Sequence, residues 1–162
     1  MPKIRDFLPS DAKQVDSLAL RSFEQFKGSY QDWPGFRAKI GNMSCLVDVG
    51  EIIVAELECR IVGAVVYVGP NASKAEFFRP EWSIMRMLVV DPNFRARGIG
   101  RTLAQEAIRR AKRDGASVFA LHTSIVMEVA LPMYLRMGFV WVSDAPAIHG
   151  VDYGIYVKEL DG

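Results

Sequence analysis

The chain has 162 residues, half of them hydrophobic and 24% charged, a balance that predicts one folded domain over residues 1–162 and excludes general disorder. Basic and acidic side chains number 20 and 19, so net charge gives no reason to expect nucleic acid or an anionic membrane as partner. Cys45 and Cys59 lack the paired spacing of a zinc site and are too few for a disulfide framework, which predicts inert, buried thiols and no metal.

The first residues, Met1-Pro2-Lys3-Ile4-Arg5-Asp6, carry charges where a secretion signal needs an apolar run of about 7–15 residues. Apolar stretches such as 61–68 are strand-sized, far short of the ~20 residues that cross a bilayer. We therefore expect a soluble, cytoplasmic chain.

Residues 3–7 read as a short extended segment, and Ser10 and Asp11 as a helix N-cap. Ala12, Val15, Leu18, Ala19 and Phe23 then follow helical spacing to about Phe26. Residues 28–34 read as a polar and aromatic loop, and 36–46 as a second helix with indistinct ends. Two Ile- and Val-rich runs, 51–57 and 60–68, flank the polar break Glu58-Cys59-Arg60 and read as a hairpin. Residues 69–80, with two prolines, read as a long loop of the kind that carries substrate contacts.

A strand over 83–90 and a loop over 91–97 lead to a helix starting near Gly98, with Leu103, Ala104, Ala107, Ile108 and Ala111 on one face. Asp114-Gly115 ends it, and a strand at 117–123, a helix at 127–137 and strands at 139–142 and 153–160 complete the chain. Early strands in a hairpin and late helices alternating with strands predict a mixed α/β fold with helices on both faces of the sheet.

The most informative stretch is Val90-Asp91-Pro92-Asn93-Phe94-Arg95-Ala96-Arg97-Gly98-Ile99-Gly100-Arg101. Glycines at a helix entry let a phosphate approach the free N–H groups of the first turn. A dinucleotide fingerprint would put Gly-x-Gly-x-x-Gly straight after the strand, but here seven residues intervene and no third glycine follows. A nucleotide-triphosphate loop needs Gly-Lys-Ser/Thr, which is absent from the chain.

The segment resembles the coenzyme A loop of the GCN5-related N-acetyltransferase (GNAT) family, Val-x-Pro-x-x-Arg/Gln-x-x-Gly-x-Gly/Ala, with Val90, Pro92, Arg95, Gly98 and Gly100 in register. Ala130, Tyr134, Gly138 and Phe139 are similar to the family's later Ala-x-x-x-Tyr-x-x-x-Gly-Phe segment. The resemblance implies a mostly antiparallel sheet of about six to seven strands, acetyl-coenzyme A as co-substrate, direct transfer to a small-molecule or peptide amine, and a possible homodimer. It further implies that the backbone of Leu88, Val89 and Val90 pairs with the pantetheine arm. The N–H groups of Ala96, Arg97, Gly98, Ile99, Gly100 and Arg101 would hold the pyrophosphate, with no room for a side chain at Gly98 or Gly100. Residues 95–113 hold seven basic residues and one acidic, Glu106. The last four sit where cations favour the helix dipole, which leaves Arg95, Arg97 and Arg101 as phosphate ligands.

An amine attacks only when neutral, and a lysine-like amine has a pKa of about 10.4, so a base or water path is useful. The departing thiolate gains from a proton donor. By resemblance Tyr134 is that general acid, although it also belongs to an apolar helical stripe with Met127, Ala130 and Leu131. His122 stands where some family members carry a glutamate, and it reads either as the base, directly or through water, or as a histidine satisfied by a backbone group. Glu81 is the fallback base, and His149 reads as a surface residue. Two departures from the family pattern stand out. Met127 replaces a common asparagine, and Pro132 would cost about 3 kcal/mol inside a regular helix, so that helix must start late or kink. A non-catalytic acyl-coenzyme A sensor is the alternative of a different class. A nucleic-acid-binding role fits poorly, since no aromatic lies among the basic residues after Arg95 to stack on bases.

Overall fold

Ile52 and Val54 belong to one buried layer and Ile53 and Ala55 to another, so the strand that carries them is apolar on both faces and must be covered twice. The structure, a computed structural model that describes residues 1–160, meets that need with one seven-stranded sheet. Its strands are β1 (Lys3–Asp6), β2 (Glu51–Leu57), β3 (Arg60–Val68), β4 (Ser83–Val90), β5 (Val118–Thr123), β6 (Val140–Ile148) and β7 (Val151–Glu159), in the order β1-β2-β3-β4-β5-β7-β6. Every neighbouring pair is antiparallel except β4 and β5, which run parallel. The expected mixed, mostly antiparallel sheet is the one formed.

Helices α1 (Ala12–Phe23) and α2 (Trp33–Ile40) cover one face through Val15, Leu18, Ala19, Phe36 and Ile40. Helix α3 (Ile99–Arg113) and the short α4 (Ala130–Arg136) cover the other through Leu103, Ala104, Ala107, Ala111 and Tyr134. Gly63 on β3 sets how closely α3 approaches, because a Cβ there would come within 2.9 Å of Ile99 Cγ2 and Leu103 Cδ1. The basic C-terminal half of α3 is matched by carboxylates: Arg110 meets Asp6, Glu51 and Glu106, Arg113 meets Glu51 and Asp114, and Arg109 meets Glu106.

Strands β4 and β5 pair only at Ser83 with Phe119 and at Ile84 with Ala120. Past those positions they splay. On its other edge β4 stays bound to β3, with a bulge at Met87, whose φ of +57° bends the strand.

Several boundaries differ from the sequence reading. Helix α1 stops at Phe23 and continues as a 3₁₀ segment, Glu24–Ser29. The second helix starts earlier, at Trp33, because the Asp32 carboxylate caps it by accepting from the Gly35 N–H. It breaks at Gly41, and Met43–Asp48 forms a separate 3₁₀ turn. The strand read at 139–142 runs on to Ile148: β6 is an exposed edge strand, so it tolerates Pro146 and lacks the alternation that marks a half-buried one. Helix α4 does start late, which puts Pro132 in its first turn, where a missing N–H costs nothing. Cys45 and Cys59 are exposed, not buried. Among the described residues no helix is long and apolar enough to cross a membrane.

Candidate active site

The wedge between β4 and β5 joins two cavities that share Phe23, Leu88, Met127 and Ala130 in their walls. The first, of about 430 Å³, lies over the start of α3 and is lined by Val90, Arg95, Ala96, Gly98, Ile99, Gly100 and Arg101. Sequence dictates this loop locally. Asp91, fully buried, accepts from the Asn93 N–H and pairs with Arg21 at 3.1 Å, fixing the turn that leaves β4. Ala96 and Gly98 both take positive φ, +62° and +77°, and Gly98 is the N-cap of α3.

The backbone N–H groups of residues 96–101 donate to no acceptor among the described residues; the first helical donor is Thr102, to the Gly98 carbonyl. Six such donors over a helix N-terminus, beside Arg95 and Arg101, suit a pyrophosphate. A Cβ on Gly98 would meet no protein atom within 4 Å and one on Gly100 only ordinary contacts, which leaves the space beside both glycines open, and at Gly98 the left-handed backbone is a further reason for glycine.

The basic residues divide. Arg95 donates to Gln25 Oε1 at 2.8 Å and reaches the Ser22 carbonyl, holding it at the cavity wall. Arg101 lines the cavity and is exposed. Arg97 instead lies over the Phe94 ring at 5.0 Å and lines neither cavity. Arg136, which sequence reasoning passed over, joins the wall from the end of α4. Leu88 and Val90 face this cavity while the Val89 side chain is fully buried on the opposite side, so Val89 can offer only its backbone. Past Ile84 the β4 edge facing β5 is unpaired, which leaves the main chain of Leu88 and Val90 available to an extended ligand.

The second cavity, of about 590 Å³, is lined by Tyr134 and His122 together with Phe36, Lys39, Ile40, Leu46, Met85, Arg86, Leu121 and Tyr153. Tyr134 packs edge-on to Phe139 and is 6% exposed. Its hydroxyl has no partner, yet no buried side-chain oxygen is left unsatisfied among the described residues, which means that the hydroxyl is not sealed in the core. Burial pushes its pKa above the ordinary phenol value, so it is a protonated donor at neutral pH.

His122 stands two residues after Ala120 and opposite Ile155, on the α1 and α2 face of the sheet. Phe77 and Phe78, delivered by the 69–80 loop, and Tyr153 surround its ring at 5.3 to 5.8 Å. That loop backs His122 rather than lining a cavity. Among the described residues the imidazole has no backbone hydrogen-bond partner, and burial, aided by the nearby Arg86 charge, lowers its pKa to about 4. It is therefore neutral at physiological pH and able to accept a proton, weakly.

Glu81 is exposed in the turn ahead of β4 and lines neither cavity. It sits at the closed end of the wedge. His149 is half-buried against Phe36 and 3.9 Å from Asp32, not free on the surface. The residues missed by sequence reasoning are those of α2 and the following 3₁₀ turn, and above all Arg86. A signal for Arg86 was present: it is the one charge inside the apolar run Ile84-Met85-Arg86-Met87-Leu88.

The profile of a family described as "Acetyltransferase (GNAT) family" matches residues 13–139. An uncharacterized N-acetyltransferase of Methanocaldococcus jannaschii is 40% identical over 52 residues, 32% of this chain and 23% of that protein. The matched region thus spans about a quarter of that relative. Among solved structures, the PaiA N-acetyltransferase of Thermoplasma acidophilum in complex with coenzyme A superposes with a TM-score of 0.77 at 19% identity, covering 99% of each chain. YncA of Salmonella typhimurium, solved with its cofactor acetyl-CoA, superposes with a TM-score of 0.71 at 16% identity, covering 100% of this chain and 95% of that one.

Proposed function

The chain belongs to the acetyltransferase (GNAT) family, and from that premise we propose that residues 1–162 form one N-acetyltransferase domain that moves an acetyl group from acetyl-coenzyme A to a primary amine. One observation carries the reading: the open β4–β5 wedge links a cradle of free N–H groups to a cavity holding an unpartnered phenol. A tight anion loop alone would need no such passage.

Bound, acetyl-coenzyme A would supply an activated thioester. The main chain of Leu88, Val89 and Val90 would take its pantetheine arm, and the N–H groups of residues 96–101, with Arg95 and Arg101, its pyrophosphate. The acceptor nitrogen, entering through the second cavity, uses its lone pair to form the C–N bond while the C–S bond breaks and its electrons pass to sulfur. Tyr134 Oη donates the proton that converts the thiolate to thiol, and solvent restores it. The proton lost by nitrogen leaves through His122 or through water. Excluding water from the apolar walls keeps both transfers directed.

The test is thiol release from acetyl-coenzyme A over a panel of amino acids, peptides, polyamines and aminoglycosides. Amine-dependent release supports transfer. Calorimetric binding of acetyl-coenzyme A with no release from any amine would instead favour a sensor.

A further inference from the structure

The second cavity holds two cations, Lys39 and Arg86, and among the described residues no aspartate or glutamate lines it. Its remaining walls are largely apolar, with Phe36, Ile40, Leu46, Met85 and Leu121 among them. Arg86 follows Ile84 by two residues and sits opposite Val66, which places it on the same sheet face as His122. Among the described residues it has neither a hydrogen-bonded nor an ionic partner, and it is exposed. Arg95, Arg97 and Arg21 are engaged by Gln25, Phe94 and Asp91, and Arg101 and Arg136 line the first cavity, not the second.

Arg86 is exposed at the cavity wall, and a guanidinium with no protein counter-ion offers a planar fork that fits a carboxylate through two parallel hydrogen bonds. A polycationic amine would be repelled by Lys39 and Arg86 and, among the described residues, find no carboxylate in the wall to offset that. The acceptor must nevertheless carry an amine for the wedge. An anion and an amine on one small molecule, with an apolar remainder, describe an amino acid.

We propose that Arg86 is the acceptor-anchoring residue, and that the acceptor is a free apolar α-amino acid whose carboxylate sits on the guanidinium and whose side chain packs against the apolar wall. This rests on the acetyl-transfer reading. It also explains why a charge interrupts the apolar run of β4: at this position the strand faces the substrate rather than the core. A phenylalanine- or methionine-sized molecule is well within a cavity of about 590 Å³.

The experiment measures thiol release with L-phenylalanine, L-methionine and L-leucine, with phenylalaninamide and phenethylamine, and with spermidine, using wild type, Arg86→Gln and Arg86→Lys. Wild type should prefer phenylalanine to its amide by about 10- to 100-fold in kcat/KM, the range expected of a charged hydrogen-bonded anchor. Arg86→Gln should lose that preference, mainly through a higher KM for the acid. Arg86→Lys should retain part of it, because it keeps the charge and loses the fork. Calorimetry with acetyl-coenzyme A should give the same affinity for all three proteins, which checks that the variants fold. If wild type turns over the amide, phenethylamine or spermidine as well as the acid, or if Arg86→Gln still discriminates, the anchor is wrong and acetyl transfer stands. If the cofactor binds and no amine releases thiol, acetyl transfer itself fails and the anchor falls with it.

Discussion

Ile84 and Ala120 form the last paired position between β4 and β5, and the whole candidate site is built on the separation that begins there. Two parallel strands that part after two residues leave a row of unpaired main-chain groups in the middle of a sheet, not at its rim. Natural sheets cover such edges, so an open one at the junction of two cavities is most simply a place reserved for a ligand's own extended chain.

Gly98 offers a test of the phosphate cradle with two effects of opposite kind. Gly98→Ala places a Cβ at φ +77° and should cost about 1 kcal/mol of stability. Gly98→Asp puts a carboxylate at an N-cap, where it can accept from the same N–H groups the pyrophosphate would use. We expect near wild-type stability and a fall in acetyl-coenzyme A affinity of at least ~10-fold. Equal affinity of the aspartate variant by calorimetry would move the pyrophosphate elsewhere.

Tyr134→Phe removes an oxygen that has no hydrogen-bond partner among the described residues and leaves the packing against Phe139 in place. Thermal stability should therefore stay within about 0.5 kcal/mol, and cofactor affinity should be unchanged. If the hydroxyl donates to sulfur, kcat falls by roughly 10²–10⁴-fold. Wild-type turnover with a chemistry-limited acceptor would make the tyrosine a core residue only.

Gly63→Ala should act at a distance from the chemistry. Its Cβ would lie 2.9 Å from Ile99 Cγ2 and Leu103 Cδ1 and 3.4 Å from the Val89 carbonyl, so α3 must lift off β3. Overpacking of this kind costs about 1–3 kcal/mol, and because Ile99 opens α3, the cradle should shift and bind coenzyme A more weakly. Ile53→Val, in the same layer, should cost about 1 kcal/mol with no change in affinity. If urea unfolding shows Gly63→Ala destabilised and calorimetry shows affinity intact, helix placement does not govern the cradle.

The glycine loop was readable because its features demand particular residue types: a left-handed N-cap favours glycine and a capped turn favours Asp91-Pro92. Helix α3 was equally clear, since its apolar stripe is unbroken. The second cavity was not readable. Its walls come from α2, a 3₁₀ turn, β4, β5 and β7, joined by tertiary packing that leaves no local pattern. Edge strand β6 was read only as far as residue 142, because both its faces are largely exposed and supply no alternation. The hydrophobic count could not tell that Cys45 and Cys59 sit on turns, where even an apolar side chain is exposed.

His122 links the site to pH in two measurable ways. Its ordinary pKa near 6.5 falls to about 4 in the folded chain, by burial first and the Arg86 charge second. The groups facing it are Arg86, Phe77, Phe78 and Tyr153, none of them an anion that would favour the protonated ring. As pH drops below 6.5 the unfolded chain takes up the proton first, so folding stability is lost progressively between about 6.5 and about 4, by at most about 3 kcal/mol. His122→Gln should lack that contribution, and its stability relative to wild type should improve steadily from pH 7 to pH 4.5. For catalysis the same value means that the neutral, accepting ring persists down to about pH 4. If His122 is the base, kcat/KM rises through that ionisation, not through one near 6.5, and the substitution removes the rise. Ionisation of the acceptor amine adds a separate rise at higher pH, common to both proteins. Superimposable pH–rate profiles down to pH 4 would leave His122 as part of the aromatic wall and assign the amine's proton to water.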